Sequence, residues 1–333
     1  MCTTFFLENE ERRIVGRNYD IFYDNGCLFT NLRGLKKTAF IQPPEKPLTW
    51  TSQYGSLTFS QVGKEFPVGG INEKGLVVEQ NTLPETKYPV VDDRPAINEL
   101  QWIQYMLDTC SSVEEVLKAA NNIRVSQNSS HIHYFVCDPS GDVAILEYLD
   151  GKLLIFTKER LPIPVLANSI YTESLEYSDQ YIFHEDEYKA NSLERFFRAS
   201  KMVQTINNQP STTVEDAFQV LEAVKRQDTI WSIVYDLSNM EIHFSTYRQQ
   251  GRYRISLRSL DFYQNTAKVA NIHNFGHRGF VDYQFEINRE LVQSFFTNET
   301  LTEIFQWNIS QEMINFFASY PDQFSYFDEA ERE

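Results

Sequence analysis

The second residue of the sequence, Cys2, carries the most distinctive chemistry of the chain. Removal of Met1 would leave a thiol and a free α-amino group on this one residue. An unperturbed α-amino group has a pKa of about 7.7–8.0, so near neutral pH it can accept a proton from the thiol and later donate one to a departing amine. Cys2 is therefore predicted to act as nucleophile and base without a separate histidine. The alternative is that a small second residue merely permits removal of methionine.

Two charged residues could support that chemistry. Arg17 and Asp20, in the run VGRNYD, lie one hairpin away from Cys2 if the chain begins with paired strands. A guanidinium beside the thiol favours its thiolate form, and a carboxylate can hold the α-ammonium group in place. An Arg and an Asp three residues apart are also common as a surface ion pair, so the prediction depends on the three residues together.

A metal site is the first competing interpretation. His131 and His133 are two apart on a predicted strand, which would put them on one face, where they could ligate zinc. No third ligand motif accompanies them, and a histidine on the flank of a strand is usually an ordinary half-buried side chain. The sequence therefore predicts no metal site.

The second competing interpretation is a thiol enzyme whose base is a separate histidine. Cys110 or Cys137 would then pair with His243 or His273, far along the chain. No local signature supports this pairing. Cys110 ends a predicted amphipathic helix and Cys137 lies inside a predicted strand, which are positions typical of buried structural thiols.

The elements that must position Cys2 are strands. Alternating residues over positions 3–35, with a turn at 24–26, predict paired strands that start almost at the first residue. Further strands are predicted within 56–82, and the segment 132–157 predicts an antiparallel meander. A last hairpin is predicted over 229–248.

Helices are predicted between these groups of strands. They are expected at 96–107, from Ser112 onward, at 192–206 and at 212–224, and again in the aromatic-rich last fifty residues. The second begins with a capping-box spacing of Ser112 and Glu115, and the fourth with a cap at Thr213. Antiparallel hairpins clustered apart from paired helices predict an α+β layered fold, most simply as a single domain.

Composition narrows the classes of partner. The formal net charge is -16, from 30 Lys and Arg against 46 Asp and Glu, and the pI is near 4.9. Nucleic-acid binding requires concentrated positive charge, so a nucleic-acid partner is not expected, and neither is an anionic membrane surface. No apolar run is long enough to span a membrane, so we expect a cytoplasmic protein whose four cysteines are free.

The sequence also resembles a known family over roughly residues 2–265. The similarity consists of eight blocks in the same order: MCTT, GRNYD, INEKGLVVE, ELQWIQYMLDTCSSVEEVL, FVCDPSGDVAILEYLDGKL, LANS, SLERFFRAS and TIWSIVYDLSNMEIHFSTY. The family is that of the choloylglycine hydrolases, linear amide C–N hydrolases that include bile salt hydrolases and penicillin V acylases. They belong to the N-terminal nucleophile superfamily.

The resemblance implies a fold and a set of site residues. The fold would be a four-layer αββα sandwich of two antiparallel sheets between helix layers, in one domain over 1–333 with 266–333 as a C-terminal extension. The matching positions make Cys2 the nucleophile, Asp20 the partner of its amine and Arg17 the residue beside the thiol. Asn168 matches an asparagine near the oxyanion, and Arg195 matches an arginine that completes the site.

One oxyanion position stays open. When INEKGLVVEQNTLP is aligned without gaps on the family pattern, Thr82 falls on the family's asparagine. The preceding residue, Asn81, has the asparagine side chain itself, so Asn81 is the predicted oxyanion residue. An asparagine closing a turn is the alternative for this residue. Its expected contribution, as for any oxyanion donor, is about 10²–10³ in rate.

The implied activity is hydrolysis of a linear amide of an N-acylated small molecule through an acyl-enzyme, without a cofactor or metal. Acyl transfer to another acceptor and a catalytically inactive binding protein are the alternatives. Bile-acid amides, phenoxyacetyl amides, acyl homoserine lactones and N-acyl amino acids remain open as substrates. Relatives are often oligomers, so a homodimer or homotetramer is permitted.

Overall fold

The structure, a computed structural model, describes residues 1–126, 130–180 and 184–326. The strands in these ranges are β1 (Cys2–Glu8), β2 (Arg13–Asp20), β3 (Cys27–Asn31), β4 (Leu35–Thr38), β5 (Thr49–Thr51), β6 (Ser56–Ser60), β7 (Gly69–Asn72), β8 (Val77–Thr82), β9 (Ala96–Asn98), β10 (Arg124–Ser126), β11 (Ile132–Cys137), β12 (Val143–Leu149), β13 (Lys152–Thr157), β14 (Val165–Leu166), β15 (Thr229–Asp236), β16 (Glu241–Thr246), β17 (Gln249–Ser256), β18 (Lys268–Asn271), β19 (Val281–Asp282) and β20 (Ser325–Tyr326).

Helices separate these groups of strands. They are α1 (Glu99–Thr109), α2 (Val113–Asn122), α3 (Tyr171–Asp179), α4 (Glu187–Asn207), α5 (Val214–Ala223), α6 (Phe275–Arg278), α7 (Phe285–Phe296), α8 (Glu299–Phe305) and α9 (Gln311–Ser319). Within the described ranges, none of them combines the length and the apolar character that crossing a membrane would require.

The chain forms two compact units. Unit 1 comprises Met1–Ile21, Gly75–Val90 and Ser129–Leu257. Unit 2 comprises Phe22–Lys74, Val91–Asn128 and Arg258–Glu333. The single-domain organisation expected from the sequence stays a prediction.

Unit 1 contains a helix layer, a sheet and a second set of strands. The sheet has the order β14-β1-β2-β15-β16-β17, and α4 packs on β1 while α5 packs on β2 and β15. On its other face β1 contacts β8, which belongs to the antiparallel set β13-β12-β11-β8. Strand β1 is buried at its first six positions because both its faces are covered.

Unit 2 is built around other strands. Its main antiparallel set has the order β7-β6-β3-β18-β19, with α1 packed on β7. Strand β18 pairs with β3, so residues 268–271, predicted as part of a C-terminal extension, are an integral part of this sheet. Helices α7 and α9 pack together around Val292, Ile314 and Ala318.

The predicted α+β class is confirmed, since antiparallel sheets and helices form distinct layers in both units. The meander of β11, β12 and β13 and the cap of Thr213 on α5 are also as predicted. The predicted start of the helix at residue 96 is wrong. Residues 96–98 form β9, which pairs with β10, and α1 begins only after Asn98, whose side chain accepts hydrogen bonds from Leu100 N and Gln101 N.

Candidate active site

Cys2 is the first residue of strand β1 in unit 1. The residue is 2% exposed, and its backbone is held from two sides. Its N–H donates to Asn168 Oδ1 at 2.8 Å, and its carbonyl oxygen accepts from Arg195 Nη1 at 2.5 Å. The sequence-predicted nucleophile and two predicted partners are therefore in direct contact, although 166 and 193 residues separate them along the chain.

Arg17 reaches the thiol from the neighbouring strand β2. Residue 17 is paired with Thr4, and Cys2 is paired with Tyr19. Arg17 Nη2 lies 3.8 Å from Cys2 Sγ and 2.8 Å from the carbonyl oxygen of Gln80. The preceding Gly16 leaves room for the ring of Phe5, which a Cβ would meet at 2.2 Å. A buried cation beside the sulfur favours the thiolate.

Asp20 is placed where the chain begins. One carboxylate oxygen, Oδ1, accepts from Thr229 Oγ1 at 2.6 Å, whereas the buried Oδ2 has no hydrogen-bond partner among the described residues and lies 4.0 Å from Arg226 Nε. The Asp20 backbone pairs with Met1, whose ammonium donates to the Asp20 carbonyl oxygen at 2.7 Å. Burial raises the pKa of Asp20, opposed by the positive charges of Arg195 and the N-terminal ammonium.

Asn168 and Arg195 form one hydrogen-bonded unit. Arg195 Nη2 donates to Asn168 Oδ1 at 2.8 Å, and Asn168 Nδ2 donates to the carbonyl oxygen of Thr82 at 2.8 Å. Asn168 N donates to Ser192 Oγ on α4, and Arg195 Nε donates to Asn191 Oδ1 on the same helix. Only one of the two Nδ2 hydrogens of Asn168 has an acceptor in the described part of the chain, so the second can be offered to a ligand.

Asn81 lies in the same region, but its side chain is already engaged. Its Nδ2 donates to the carbonyl oxygens of Leu166 and Ala167, both at 3.0 Å, and its Oδ1 accepts from Thr4 Oγ1 at 3.0 Å. Both N–H groups therefore hold the segment that leads into Asn168. The expected oxyanion role of the Asn81 side chain stays a prediction that these hydrogen bonds do not support. Thr82 contributes its carbonyl oxygen to Asn168, and its side chain is exposed.

The hydrogen bonds of Asn81 lead to a stability prediction. Asn81→Ala is expected to lower the free energy of unfolding by about 1–3 kcal/mol, because it removes two buried hydrogen bonds to the Leu166 and Ala167 carbonyl oxygens and the acceptor of Thr4 Oγ1. Urea unfolding followed by circular dichroism measures the change. Asn121→Ala, on the exposed face of α2, is the control and should stay within about 0.5 kcal/mol of the wild type. Equal losses in the two variants would contradict a holding role for Asn81.

Two residues of the site, Glu79 and Tyr235, are not among those predicted from the sequence. Glu79 on β8 forms a fully buried ion pair with Arg17 Nη1, and Tyr235 OH on β15 donates to Glu79 Oε1 at 2.5 Å. Burial raises the pKa of Glu79 to about 7, against the opposing effects of Arg17 and Tyr235. The available signal was an acidic residue inside the apolar run LVVEQ, since a buried carboxylate requires a partner.

The two histidines weighed as zinc ligands are placed differently. His131 precedes β11 and is exposed, whereas His133 is buried. The His133 ring nitrogens lie 3.0 Å from Glu147 Oε1 and 3.0 Å from the carbonyl oxygen of Ala167. No group of three or more potential metal-ligating side chains occurs in the described ranges. Both ring nitrogens of His133 therefore have hydrogen-bonding neighbours, one of them in the segment before Asn168.

The other cysteines are buried free thiols, as predicted. Burial raises the pKa of Cys110 to about 11, and it raises that of Cys137 as well. His243 is occupied by Glu241, and His273 contacts the carbonyl oxygen of Asp24. Neither thiol has the features of an activated nucleophile.

Solved structures share this fold. Penicillin V acylase from Agrobacterium tumefaciens superposes with a TM-score of 0.71 at 23% identity, covering 85% of this chain and 98% of that one. The C2A mutant of the conjugated bile acid hydrolase from Clostridium perfringens gives a TM-score of 0.68 at 20% identity, covering 81% and 96%. The chain therefore has the layered α+β fold of these two structures.

Sequence comparison defines the family. A penicillin V acylase of Pectobacterium atrosepticum is 29% identical over 185 residues, a match that spans 48% of this chain and 48%, about half, of that relative. The family model described as linear amide C–N hydrolases, choloylglycine hydrolase family, matches residues 2–268. The chain belongs to this family, which confirms the resemblance inferred from the sequence blocks.

Proposed function

We propose that this protein hydrolyses the linear amide bond of an N-acylated small molecule through an acyl-enzyme on Cys2, after Met1 has been removed. The observation that carries the proposal is the position of the Cys2 thiol, 3.8 Å from a buried guanidinium, at the start of a strand whose backbone is held by Asn168 and Arg195. Membership of a family of linear amide C–N hydrolases supports the reaction type.

The first step would be attack of the Cys2 thiolate on the amide carbonyl carbon. The sulfur–carbon bond forms and the carbonyl oxygen becomes an oxyanion, which the second N–H of Asn168 Nδ2 can stabilise. Arg17 would stabilise the thiolate before attack. Asn81 has a positioning role here, since its amide holds the carbonyls of the segment before Asn168.

The second step would be departure of the amine. The carbon–nitrogen bond breaks as the Cys2 α-ammonium gives its proton to the leaving nitrogen, and water then attacks the thioester to release the acid. The buried Oδ2 of Asp20, which has no hydrogen-bond partner among the described residues, would accept a hydrogen bond from this α-ammonium. Arg195 would keep Asn168 oriented through both steps.

A substrate panel tests the proposal. Processed protein is incubated with phenoxyacetyl amides, including penicillin V, bile-acid amides, acyl homoserine lactones and N-acyl amino acids, and released amine is quantified. We expect one acyl class to give amine and acid in equal amounts. Amine release with the acyl group recovered on an added acceptor, in place of water, would assign an acyltransferase. No release from any class would contradict the proposed activity.

A further inference from the structure

We propose that Glu79 and the thiolate of Cys2 compete for the single positive charge of Arg17, so that Glu79 sets the pH at which Cys2 becomes nucleophilic. The inference rests on the proposed function of Cys2 and concerns the regulation of that same site. Glu79 does not touch a reacting atom, and it is a positioning residue that acts through Arg17.

The guanidinium of Arg17 contacts two acidic groups, the Glu79 carboxyl and the Cys2 thiol. Its Nη1 bonds Glu79, and its Nη2 faces Cys2 Sγ at 3.8 Å while donating to the Gln80 carbonyl oxygen. Arg17 and Glu79 are 0% exposed and Cys2 is 2% exposed. Water therefore screens these charges weakly, and interactions over such distances are strong. One buried cation can compensate one of the two anions, and the second anion is then costly.

The remaining titratable groups around Glu79 are neutral near pH 7. Tyr235 on β15 donates a hydrogen bond to Glu79. The ring centroid of Tyr19 on β2 lies 4.7 Å from the Arg17 guanidinium. Cys137 on β11 interacts electrostatically with Glu79. Burial raises the pKa of all three.

On the other side of Arg17, the Cys2 thiol also interacts with Arg195 and Tyr188 of α4. The processed chain adds the Cys2 α-amino group, whose unperturbed pKa is about 7.7–8.0. These three groups are the same in all the variants compared below, so a difference between variants reports the charge of Glu79.

Arg17 itself stays a cation. Burial disfavours its charged form, but the charges of Glu79 and Cys2 outweigh that effect and raise the pKa of Arg17. The pKa of Glu79, raised to about 7 by burial, lets its carboxyl change charge near neutral pH. When Glu79 is protonated, the charge of Arg17 is available to stabilise the Cys2 thiolate. When Glu79 is ionised, it compensates that charge and the thiolate is stabilised less. Protonation of one acid therefore changes the proton affinity of the other, and a measured titration step belongs to the two groups together.

The test measures thiol reactivity and needs no substrate. Protein with Cys2 as its first residue is treated with iodoacetamide from pH 5 to pH 10, and alkylation of the N-terminal peptide is quantified by mass spectrometry. In Glu79→Gln, an isosteric change that removes the competing charge, the midpoint of the alkylation profile should fall by about one pH unit or more. Glu79→Asp, which restores the charge, should return the midpoint toward the wild type.

Glu8→Gln is the matched control. Glu8 ends β1, the strand that begins with Cys2, and pairs with Arg13 Nε at 3.0 Å. The variant therefore removes one carboxylate charge without changing a partner of Arg17. Its midpoint should equal that of the wild type. An unchanged or raised midpoint in a folded Glu79→Gln protein would overturn the proposal, because a merely structural Glu79 would leave Cys2 less activated when replaced.

A second variant covers failure of Glu79→Gln to fold. Tyr235→Phe removes the hydrogen bond to the Glu79 carboxylate, which favours protonated Glu79 and should lower the Cys2 midpoint by a smaller amount in the same direction. No shift, or a rise, in this variant overturns the proposal. The outcome is separate from that of the substrate panel: a shifted midpoint without amide cleavage contradicts only the proposed function, and cleavage with an unshifted midpoint contradicts only the competition.

Discussion

Cys2→Ala is expected to reduce amide hydrolysis by at least about 10³-fold, leaving what binding and oxyanion stabilisation supply alone. The substitution removes the sulfur that would form the acyl-enzyme and leaves the α-amino group on residue 2. Steady-state release of amine from the best substrate of the panel measures the loss. Because Cys2 is a small residue at the end of a strand, the variant should keep its fold by circular dichroism.

Cys110→Ala is the matched control for that substitution. Cys110 is a buried free thiol at the end of α1, and its replacement should leave kcat within about twofold, because it lies outside the proposed machinery. Undiminished hydrolysis by Cys2→Ala would remove Cys2 from the mechanism. Loss of activity in Cys110→Ala alone would favour the histidine-assisted thiol that the sequence left as an alternative.

The second large effect concerns the α-amino group. A protein that carries one extra glycine before Cys2 is expected to lose about 10²–10⁴-fold in kcat, because the residue then has an amide N–H and no general acid or base. The Cys2 N–H donates to Asn168 Oδ1 when Met1 precedes it, so the extended chain can still place the thiol beside Arg17. Release of both forms from a fusion by the same specific protease gives proteins that differ by one residue.

Thiol alkylation is the internal control for this comparison. The extended protein should still react with iodoacetamide at Cys2, since Arg17 is unchanged, while its hydrolysis is lost. Equal hydrolysis by the two forms would show that the α-amino group is not the proton carrier. A loss of both alkylation and hydrolysis would point to a displaced thiol.

The fold class was accessible from the sequence because periodicity reports which faces are buried. The segment 229–236 and the cap at Thr213 were predicted correctly, since apolar strands and capping hydroxyls have local signals. Strand β1 was predicted as alternating, yet it is buried at six consecutive positions because a helix layer covers one face and β8 the other. Coverage of a second face is a tertiary property that local alternation does not encode.

For the candidate site, too, most of the residues were predictable from the sequence, but the contacts that depend on distant parts of the chain were not. Cys2, Arg17 and Asp20 are predictable from residue chemistry near the start of the chain, whereas Asn168 and Arg195 come only from the family resemblance. The structure brings these five residues together in unit 1. Asn81 was in the right place, but the direction of its amide depends on the Leu166 and Ala167 carbonyls, 85 and 86 residues away. Glu79 was passed over because its partner Arg17 lies on another strand.

Cys2, as the first residue of the processed chain, is expected to carry the acyl group during turnover. Rapid acid quenching of the enzyme with its best substrate, followed by intact mass and fragmentation of the N-terminal peptide, measures this directly. We expect a chain that lacks Met1 and gains one acyl mass on Cys2, and this added mass is lost again as the acid appears. Turnover by a chain that retains Met1, or an acyl group found on a different residue, would contradict it.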